Sequence, residues 1–249
     1  MYDHDNIKPF EGAAGTKKEQ VATMFDQIAY RYDFLNRFLS AGIDVSWRKK
    51  AIKELAALQP KEVLDVATGT ADVALRTYDM LTPKPTRIVG IDISEGMLSL
   101  GRKKIADKGL DHIISLQQGD SEAINFPDAS FDAITVAFGV RNFAHLEQGL
   151  REMLRVLKPG GKLVVLEFSK PYLPGVRSLY NLYTGIIAPG AGKLIARNKA
   201  AYKYLNDSIK AFPEGQQFVD IMNHTGYTNT YKKPLSLGIC TIYCGSKSY

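Results

Sequence analysis

The chain has 249 residues, of which 45% are hydrophobic and 23% charged, a composition typical of one globular domain with a sizeable buried core. It contains neither an apolar run of the roughly 20 residues that span a membrane nor an N-terminal secretory signal, so we expect a cytoplasmic protein. The formal charge of +6 favours anionic partners, which include nucleic acid, an acidic membrane surface and a nucleotide-like cofactor.

The N-terminal part divides into two segments. Residues 1–20 contain glycines and scattered charges without apolar periodicity, which predicts a flexible arm ahead of a single domain over residues 21–249. In residues 21–60, aromatic and aliphatic side chains recur at three- and four-residue spacing, which indicates helices. We interpret this segment as a helical lid whose aromatic side chains either close over a ligand or form ordinary core: Phe25, Tyr30, Tyr32 and Trp47.

After Pro60, short apolar runs alternate with amphipathic stretches. The predicted strands are 62–67, 87–91, 113–117, 131–137 and 162–168. The predicted helices are 70–82, 94–108 and 145–157. Strands separated by helices form right-handed βαβ units with parallel strands. The sequence therefore predicts an α/β fold with a Rossmann-like, doubly wound and mostly parallel sheet.

The C-terminal part has a different pattern. Residues 173–225 are helical and mixed, and we expect a helical insertion on the substrate side of the sheet. Residues 227–246 alternate and predict an antiparallel C-terminal edge pair of strands, with the break at residues 232–234. Cys240 and Cys244 share one face of the last strand about 13 Å apart, which excludes a disulfide between them there. Without nearby histidines we expect no metal site.

The turn that follows the first predicted strand is the strongest local feature. In a doubly wound sheet this turn lies where ligands bind, and Gly69 there can adopt a positive φ and let a cofactor approach the backbone. Ala67 and Ala71 occupy neighbouring small positions, so the turn differs from the dinucleotide motif G-x-G-x-x-G. A sulfonium cofactor has no phosphate to bind at a helix terminus and requires carboxylates instead.

Carboxylates do follow the next strands. Asp92 ends the second strand about 20 residues after the turn, where an acceptor for ribose hydroxyls belongs. Asp120 and Ser121 follow the third strand, where the carboxylate can accept from an adenine amino group and the Ser121 amide can donate to a ring nitrogen. Met97 is placed to pack against the adenine. Each acid alone is equally compatible with a helix N-cap, but their order along successive strands favours a cofactor site.

Together these residues resemble the class I S-adenosylmethionine methyltransferases. Two segments, 32–47 and 155–171, together with Phe138-Gly-Val-Arg-Asn142, are similar to the ubiquinone/menaquinone biosynthesis C-methyltransferase family. The similarity runs from about Thr16 to the C-terminus. The resemblance implies S-adenosylmethionine as cofactor, with contacts at Thr70, Asp92, Asp120 and Ser121 beside Gly69.

The resemblance also implies a reaction, the C-methylation of a prenylated quinol ring. Ala137 stands where members that serve both quinone pathways have serine, which favours demethylmenaquinol over the benzoquinol precursor of ubiquinone. Arg141 and Asn142 follow the fourth strand and are candidate catalytic residues that donate to the quinol oxygen as it becomes anionic. Arginine holds its proton too tightly to act as a simple base. A structural salt bridge is the alternative role for Arg141.

A prenylated substrate resides in a bilayer, so we expect transient contact with the membrane surface through the basic and apolar residues of 173–205. A nucleic-acid methyltransferase would need an Asn/Asp-Pro-Pro-aromatic run or a Pro-Cys nucleophile, and the sequence has neither. We therefore predict no nucleic acid partner. A small-molecule O- or N-methyltransferase and a non-enzymatic cofactor-binding scaffold stay open, as does a homo-oligomer.

Overall fold

The computed structural model describes residues 2–10, 12–40, 42–171, 175 and 199–249. In this part of the chain the helices are α1 (Lys17–Leu39), α2 (Asp44–Lys53), α3 (Asp72–Met80), α4 (Glu95–Asp107), α5 (Leu146–Val156), α6 (Lys199–Ala211) and α7 (Gln216–His224). The strands are β1 (Glu62–Val66), β2 (Arg87–Asp92), β3 (Ile114–Gln118), β4 (Phe131–Ala137), β5 (Leu157–Phe168), β6 (Thr228–Leu235) and β7 (Cys240–Ser246). Short 3₁₀ turns lie at Asp3–Asn6, Ala56–Leu58, Val140–Asn142 and Ser236–Gly238.

The strands form one sheet in the order β3-β2-β1-β4-β5-β7-β6. The first five are parallel, and β7 and β6 are antiparallel to their neighbours. This confirms the predicted doubly wound sheet with an antiparallel C-terminal pair. The strand order reverses between β1 and β4, and ligands of such sheets bind outside the carboxyl ends of the strands at this reversal.

Helices cover both faces of the sheet. Within β1, Leu64 and Val66 belong to a core shared with α5 and α7, whereas Val63 belongs to a core shared with α2, α3 and α4. All three side chains are fully buried, and each contributes about 1.5–3 kcal/mol by its burial. Burial on both faces explains why the strands have continuous apolar runs rather than alternating ones.

The break between the last two strands differs from the prediction. Residues 232–234 lie inside β6, and the chain turns at Ser236–Gly238, where Leu237 has a φ of +57°. The prediction at residues 232–234 was wrong because β6 is an edge strand, where a proline can be accommodated without breaking the ladder. Cys240 and Cys244 lie on one strand and in one core cluster, as predicted, and both are buried free thiols.

The N-terminal segment also differs from the expected loose arm. Residues 3–6 form a 3₁₀ turn in which His4 is fully buried. Lys17, at the start of α1, is buried and donates hydrogen bonds to the carbonyl oxygens of His4 at 2.6 Å and Phe143 at 2.9 Å. These contacts fix the segment against the domain, although its sequence has no apolar period.

The predicted insertion over 173–225 is described at residue 175 and from Lys199 onward, and this latter part is helical in α6 and α7. No helix in the described ranges is long and apolar enough to cross a membrane.

Candidate active site

A cleft opens at the carboxyl ends of the parallel strands, beneath α1. The turns after β1, β2, β3 and β4 supply its wall, and α1 supplies its cover. The predicted site residues that line it are Gly69, Asp92, Asp120, Ser121 and Asn142.

The turn after β1 lines the cleft and contains three residues with a left-handed backbone conformation. Ala67, Gly69 and Ala71 have φ angles of +53°, +55° and +65°. The positive φ expected at Gly69 is confirmed, and the two alanines adopt the same region although each costs about 1–2 kcal/mol there. The arrangement exposes the backbone of Ala67 and Gly69 to the cleft.

Asp92 connects the end of β2 to this turn. Its Oδ2 accepts from the Gly69 amide at 2.8 Å, and its Oδ1 accepts from the Ser94 amide at 2.9 Å. Burial raises the pKa of Asp92 to about 6, and the backbone amides oppose that rise. Each carboxylate oxygen retains a lone pair, so Asp92 can still accept from ligand hydroxyls.

Asp120 and Ser121 lie at the cleft after β3, as the sequence predicts. Asp120 Oδ1 accepts from the Glu122 amide at 2.8 Å, and Oδ2 accepts from the Lys18 ammonium at 2.7 Å. Lys18 also contacts Glu122 Oε2 at 2.8 Å. Lys18 lines the cleft, and the sequence interpretation missed it because it assigned residues 1–20 to a loose arm.

Thr70, which the family resemblance implies as a cofactor contact, lies next to Gly69 and connects two parts of the domain. Its side chain is buried and is not among the cleft-lining residues. The Thr70 hydroxyl donates to Asp33 Oδ1 at 2.7 Å and accepts from the Lys104 ammonium at 2.9 Å. Thr70 therefore fastens α1 to the body of the domain.

Lys18, Asp26 and Asp33 of α1 make such connections to the turns that line the cleft, and we name these three side chains the α1 clamp. Asp26 Oδ1 accepts from the Ser94 hydroxyl at 2.6 Å and from the Gly96 amide at 2.9 Å. The clamp thus joins α1 to the turns after β1, β2 and β3. A cover joined at these three places encloses the cofactor side of the cleft.

The aromatic residues of the predicted lid separate into three environments. Phe25 and Tyr32 line the cleft, with their ring centroids 5.8 Å apart in an edge-on contact. Tyr30 is 91% exposed and lies outside the cleft. Trp47 is buried in the core against the rings of Phe138 and Phe168. The lid interpretation therefore fits Phe25 and Tyr32.

The Val140–Asn142 turn after β4 carries both candidate catalytic residues, but only one of them reaches the cleft. Asn142 lines the cleft, whereas Arg141 is buried and is not among the lining residues. The Arg141 guanidinium donates to Glu167 Oε1 at 2.8 Å and to the Phe138 carbonyl at 2.5 Å. Its Nε has no hydrogen-bond partner in the described part of the chain. The structural salt bridge considered from the sequence is thus present.

The sequence of the whole domain matches one family. The model of the ubiE/COQ5 methyltransferase family covers residues 13–247. The chain belongs to this family.

Members of the ubiE/COQ5 family share long stretches of sequence with the chain. It is 45% identical over 246 residues to the demethylmenaquinone methyltransferase of Bacteroides fragilis, which covers 99% of each protein. It is 48% identical over 231 residues to the ubiquinone/menaquinone biosynthesis C-methyltransferase UbiE of Geotalea daltonii, with 93% of this chain and 97% of the relative covered.

Solved structures support the fold at lower identity. An S-adenosylmethionine-dependent methyltransferase of Thermotoga maritima aligns with a TM-score of 0.64 at 17% identity and covers 91% of this chain and 99% of its own. The [4+2]-cyclase SpnF aligns with a TM-score of 0.63 at 19% identity, with 94% and 98% covered. These likenesses show the Rossmann-like fold, and the family shows that the chain is an S-adenosylmethionine-dependent methyltransferase.

Glu167 was another residue that the sequence interpretation missed. It lies within the apolar run of β5 and is 0% exposed. A lone acid in a strand that is covered on both faces signals a buried partner, because an uncompensated buried carboxylate is costly. That signal identifies the position but not Arg141 as its partner, since the two residues are 26 positions apart.

Proposed function

We propose that this methyltransferase transfers the methyl group of S-adenosylmethionine to a ring carbon of a prenylated quinol and converts demethylmenaquinol into menaquinol. The observation that carries the proposal is the 45% identity, along 99% of each chain, to a protein named demethylmenaquinone methyltransferase. Ala137 lines the cleft, so the alanine that favours the menaquinone branch stands where it can affect the ligand. The benzoquinol precursor of ubiquinone is the second candidate, because a relative of similar identity is named for both quinones.

The cleft suits a sulfonium nucleoside. We assign the ribose hydroxyls to Asp92, the adenine amino group to Asp120, a ring nitrogen to the Ser121 amide, and close backbone approach to Gly69. Gly139 supports the tight packing here, since a Cβ on it would lie 2.6 Å from the Ala67 Cβ. S-adenosylmethionine supplies an electrophilic methyl group, and the two carboxylates balance its positive charge.

The acceptor ring must be electron-rich for carbon to attack a methyl group. The quinol hydroxyl would first lose its proton to water, and the negative charge on its oxygen would be shared with the neighbouring ring carbon. That carbon would form the C–C bond as the methyl–sulfur bond breaks, and it would then lose its own proton to water while the oxygen regains one, so that one proton is released overall. We assign Asn142, which lines the cleft, as the side chain that contacts that oxygen, and Arg141 as the fixed cation beside it. The ion pair with Glu167 keeps Arg141 charged and oriented, which is the preorganisation that such a reaction requires.

We also propose transient contact with a membrane surface, because a prenylated quinol resides in a bilayer. Tyr30 supports this proposal: it is 91% exposed on α1, two residues from the cleft-lining Tyr32. Aromatic side chains with a polar tip are favoured at the membrane–water interface. The basic and apolar residues of 176–198, to which the sequence pattern also pointed, lie outside the described residues.

The proposed reaction is tested by incubation of the protein with methyl-labelled S-adenosylmethionine and three acceptors, a reduced demethylated naphthoquinol, the corresponding benzoquinol and a simple catechol. We expect the label on a carbon of the naphthoquinol ring, located by mass spectrometry, with a lower rate for the benzoquinol. Label on oxygen, or transfer to the catechol alone, would show that the quinol assignment is wrong. Cofactor binding without transfer to any acceptor would favour the scaffold alternative.

A further inference from the structure

A group of buried polar atoms lies behind the wall of the cleft. The atoms that lack a hydrogen-bond partner among the described residues include Arg141 Nε, Asn142 Oδ1 and Tyr204 Oη. Arg141 and Asn142 are consecutive on the turn after β4, and Tyr204 lies on α6, which packs against that turn. The charges of Arg141 and Glu167 both act on the pKa of Tyr204. These observations place the three unpaired atoms in one polar region.

Tyr204 is the least expected member of this group. Its side chain is 3% exposed and packs against Val21 and Met24 of α1, and Val21 itself lines the cleft. A buried hydroxyl without a partner costs about 1–3 kcal/mol. Tyr227 is equally buried but donates to the Leu150 carbonyl at 2.9 Å. The contrast shows that the fold can pair a buried tyrosine hydroxyl, which it does not do at Tyr204.

The three atoms are complementary to one hydroxyl group. Arg141 Nε can only donate, Asn142 Oδ1 can only accept, and Tyr204 Oη can do either. A phenolic hydroxyl would donate to Asn142 and accept from the other two. Once the hydroxyl loses its proton, the oxygen accepts from Arg141 and Tyr204. Burial raises the pKa of Tyr204 well above its usual value, so the Tyr204 hydroxyl remains a donor.

We propose that Tyr204 is a catalytic residue that donates a hydrogen bond to the quinol oxygen next to the methylated carbon and completes an oxyanion site with Arg141, while Asn142 Oδ1 orients the hydroxyl before it ionises. This inference rests on the proposed function. It adds to that function a donor from α6. Such a donor stabilises the anionic oxygen that makes the ring carbon nucleophilic, whereas the quinol binds with its proton in place, so the contribution lies in turnover rather than in binding.

The test is Tyr204→Phe, which keeps the ring among its apolar neighbours and removes only the hydroxyl. We expect unchanged or higher thermal stability, an unchanged dissociation constant for S-adenosylmethionine, and a turnover number for the naphthoquinol that falls on the order of tenfold to a hundredfold with little change in KM. A quinol analogue with a more acidic hydroxyl should lose less rate, because its oxygen needs less stabilisation.

Tyr227→Phe is the matched control. It removes a buried hydroxyl that is paired with α5 and is not among the cleft-lining residues, so it should lower the melting temperature and leave the turnover of the folded protein unchanged. If the parent protein methylates the naphthoquinol and Tyr204→Phe does so at the parent rate, the Tyr204 assignment is wrong. The same holds if Tyr204→Phe loses stability and rate together, as a structural hydroxyl would. A parent protein that methylates no quinol overturns the proposed function itself.

Discussion

The ammonium of Lys18 lies 2.7 Å from Asp120 Oδ2, so the helix that covers the cleft contacts the acid that we assign to adenine. Both side chains are about one-third exposed, and a pair of this kind contributes about 1 kcal/mol or less. We therefore expect the loss of this one contact to change the rates at which a cofactor enters and leaves the cleft more than the stability of the protein.

Lys18→Met keeps most of the stem and removes the charge. We expect both the association and the dissociation rate of S-adenosylmethionine to rise about two- to fivefold, with little change in their ratio, because a weak ion pair that closes the cover is lost. Stopped-flow fluorescence measures both rates. The matched control is Lys158→Met, which removes a pair of similar exposure with Asp132 near the opposite end of the sheet. Unchanged rates in Lys18→Met would show that α1 does not gate the cleft.

Asp92 predicts a pH dependence of cofactor binding. Burial raises its pKa to about 6, and the cofactor prefers the carboxylate because its ribose hydroxyls donate and its sulfonium is positive. Affinity should therefore be constant above pH 7 and weaken by up to about tenfold per pH unit well below pH 6. Calorimetry between pH 5 and 8 measures it. Asp92→Ala should bind more weakly by about 1.5–3 kcal/mol and lose this dependence.

The raised pKa of Asp92 also makes the stability of the cofactor-free protein depend on pH. Here low pH is favourable, whereas cofactor binding is stronger at high pH. The folded protein without cofactor binds the Asp92 proton more tightly than the unfolded chain, whose aspartates have a pKa near 3.8. The resulting stabilisation is complete below about pH 4 and is lost as the pH rises to 6. Asp65 also has a pKa raised to about 6 by burial, but it lies outside the cleft. Asp65→Asn should consequently leave the pH dependence of cofactor binding unchanged.

Arg141 requires a double variant, because Arg141→Ala alone leaves Glu167 buried without a counter-ion. That single change should destabilise the protein by about 3–5 kcal/mol. Arg141→Met combined with Glu167→Gln removes both charges and should recover most of the stability. If Arg141 stabilises the quinol oxygen, the double variant binds S-adenosylmethionine normally and turns over on the order of a hundredfold more slowly. A parent-like rate in single-turnover experiments would leave Arg141 a structural role alone.

The left-handed alanines offer a stability prediction. Ala67→Gly relieves a strain of about 1–2 kcal/mol and introduces an unfolded-state entropy cost of about 0.5–1 kcal/mol. We expect a net gain of about 0.5 kcal/mol and a rise in melting temperature of about 1–2 °C, measured by calorimetry. Ala106→Gly, at an exposed position inside α4, should instead lower the melting temperature. A lower melting temperature for Ala67→Gly as well would show that Ala67 is not strained in this turn.

The sequence predicted both the sheet and the acids that line the cleft for one physical reason. Parallel strands end at the same edge, so Asp92 and Asp120 had to converge wherever the strands alternate with helices. Contacts between residues that are far apart in the sequence leave no periodic pattern in it. Lys18 and Thr70 acquire their roles from the way α1 crosses the strand ends, and the pairing of Arg141 with Glu167 depends on the neighbouring positions of β4 and β5. The local sequence pattern therefore predicted where the cleft lies. The contacts of the individual side chains around it depend on tertiary packing.

The outermost strand β6 carries two lysines and a proline in succession, and Lys233 and Pro234 are exposed. An unpaired strand at a sheet boundary is a template for uncontrolled addition of another chain, and charged side chains and prolines both oppose such addition. The residues that misled the strand assignment thus protect the molecule against edge-to-edge aggregation. Replacing Lys233 and Pro234 with threonine or valine would leave a continuous strand edge that another chain could pair with.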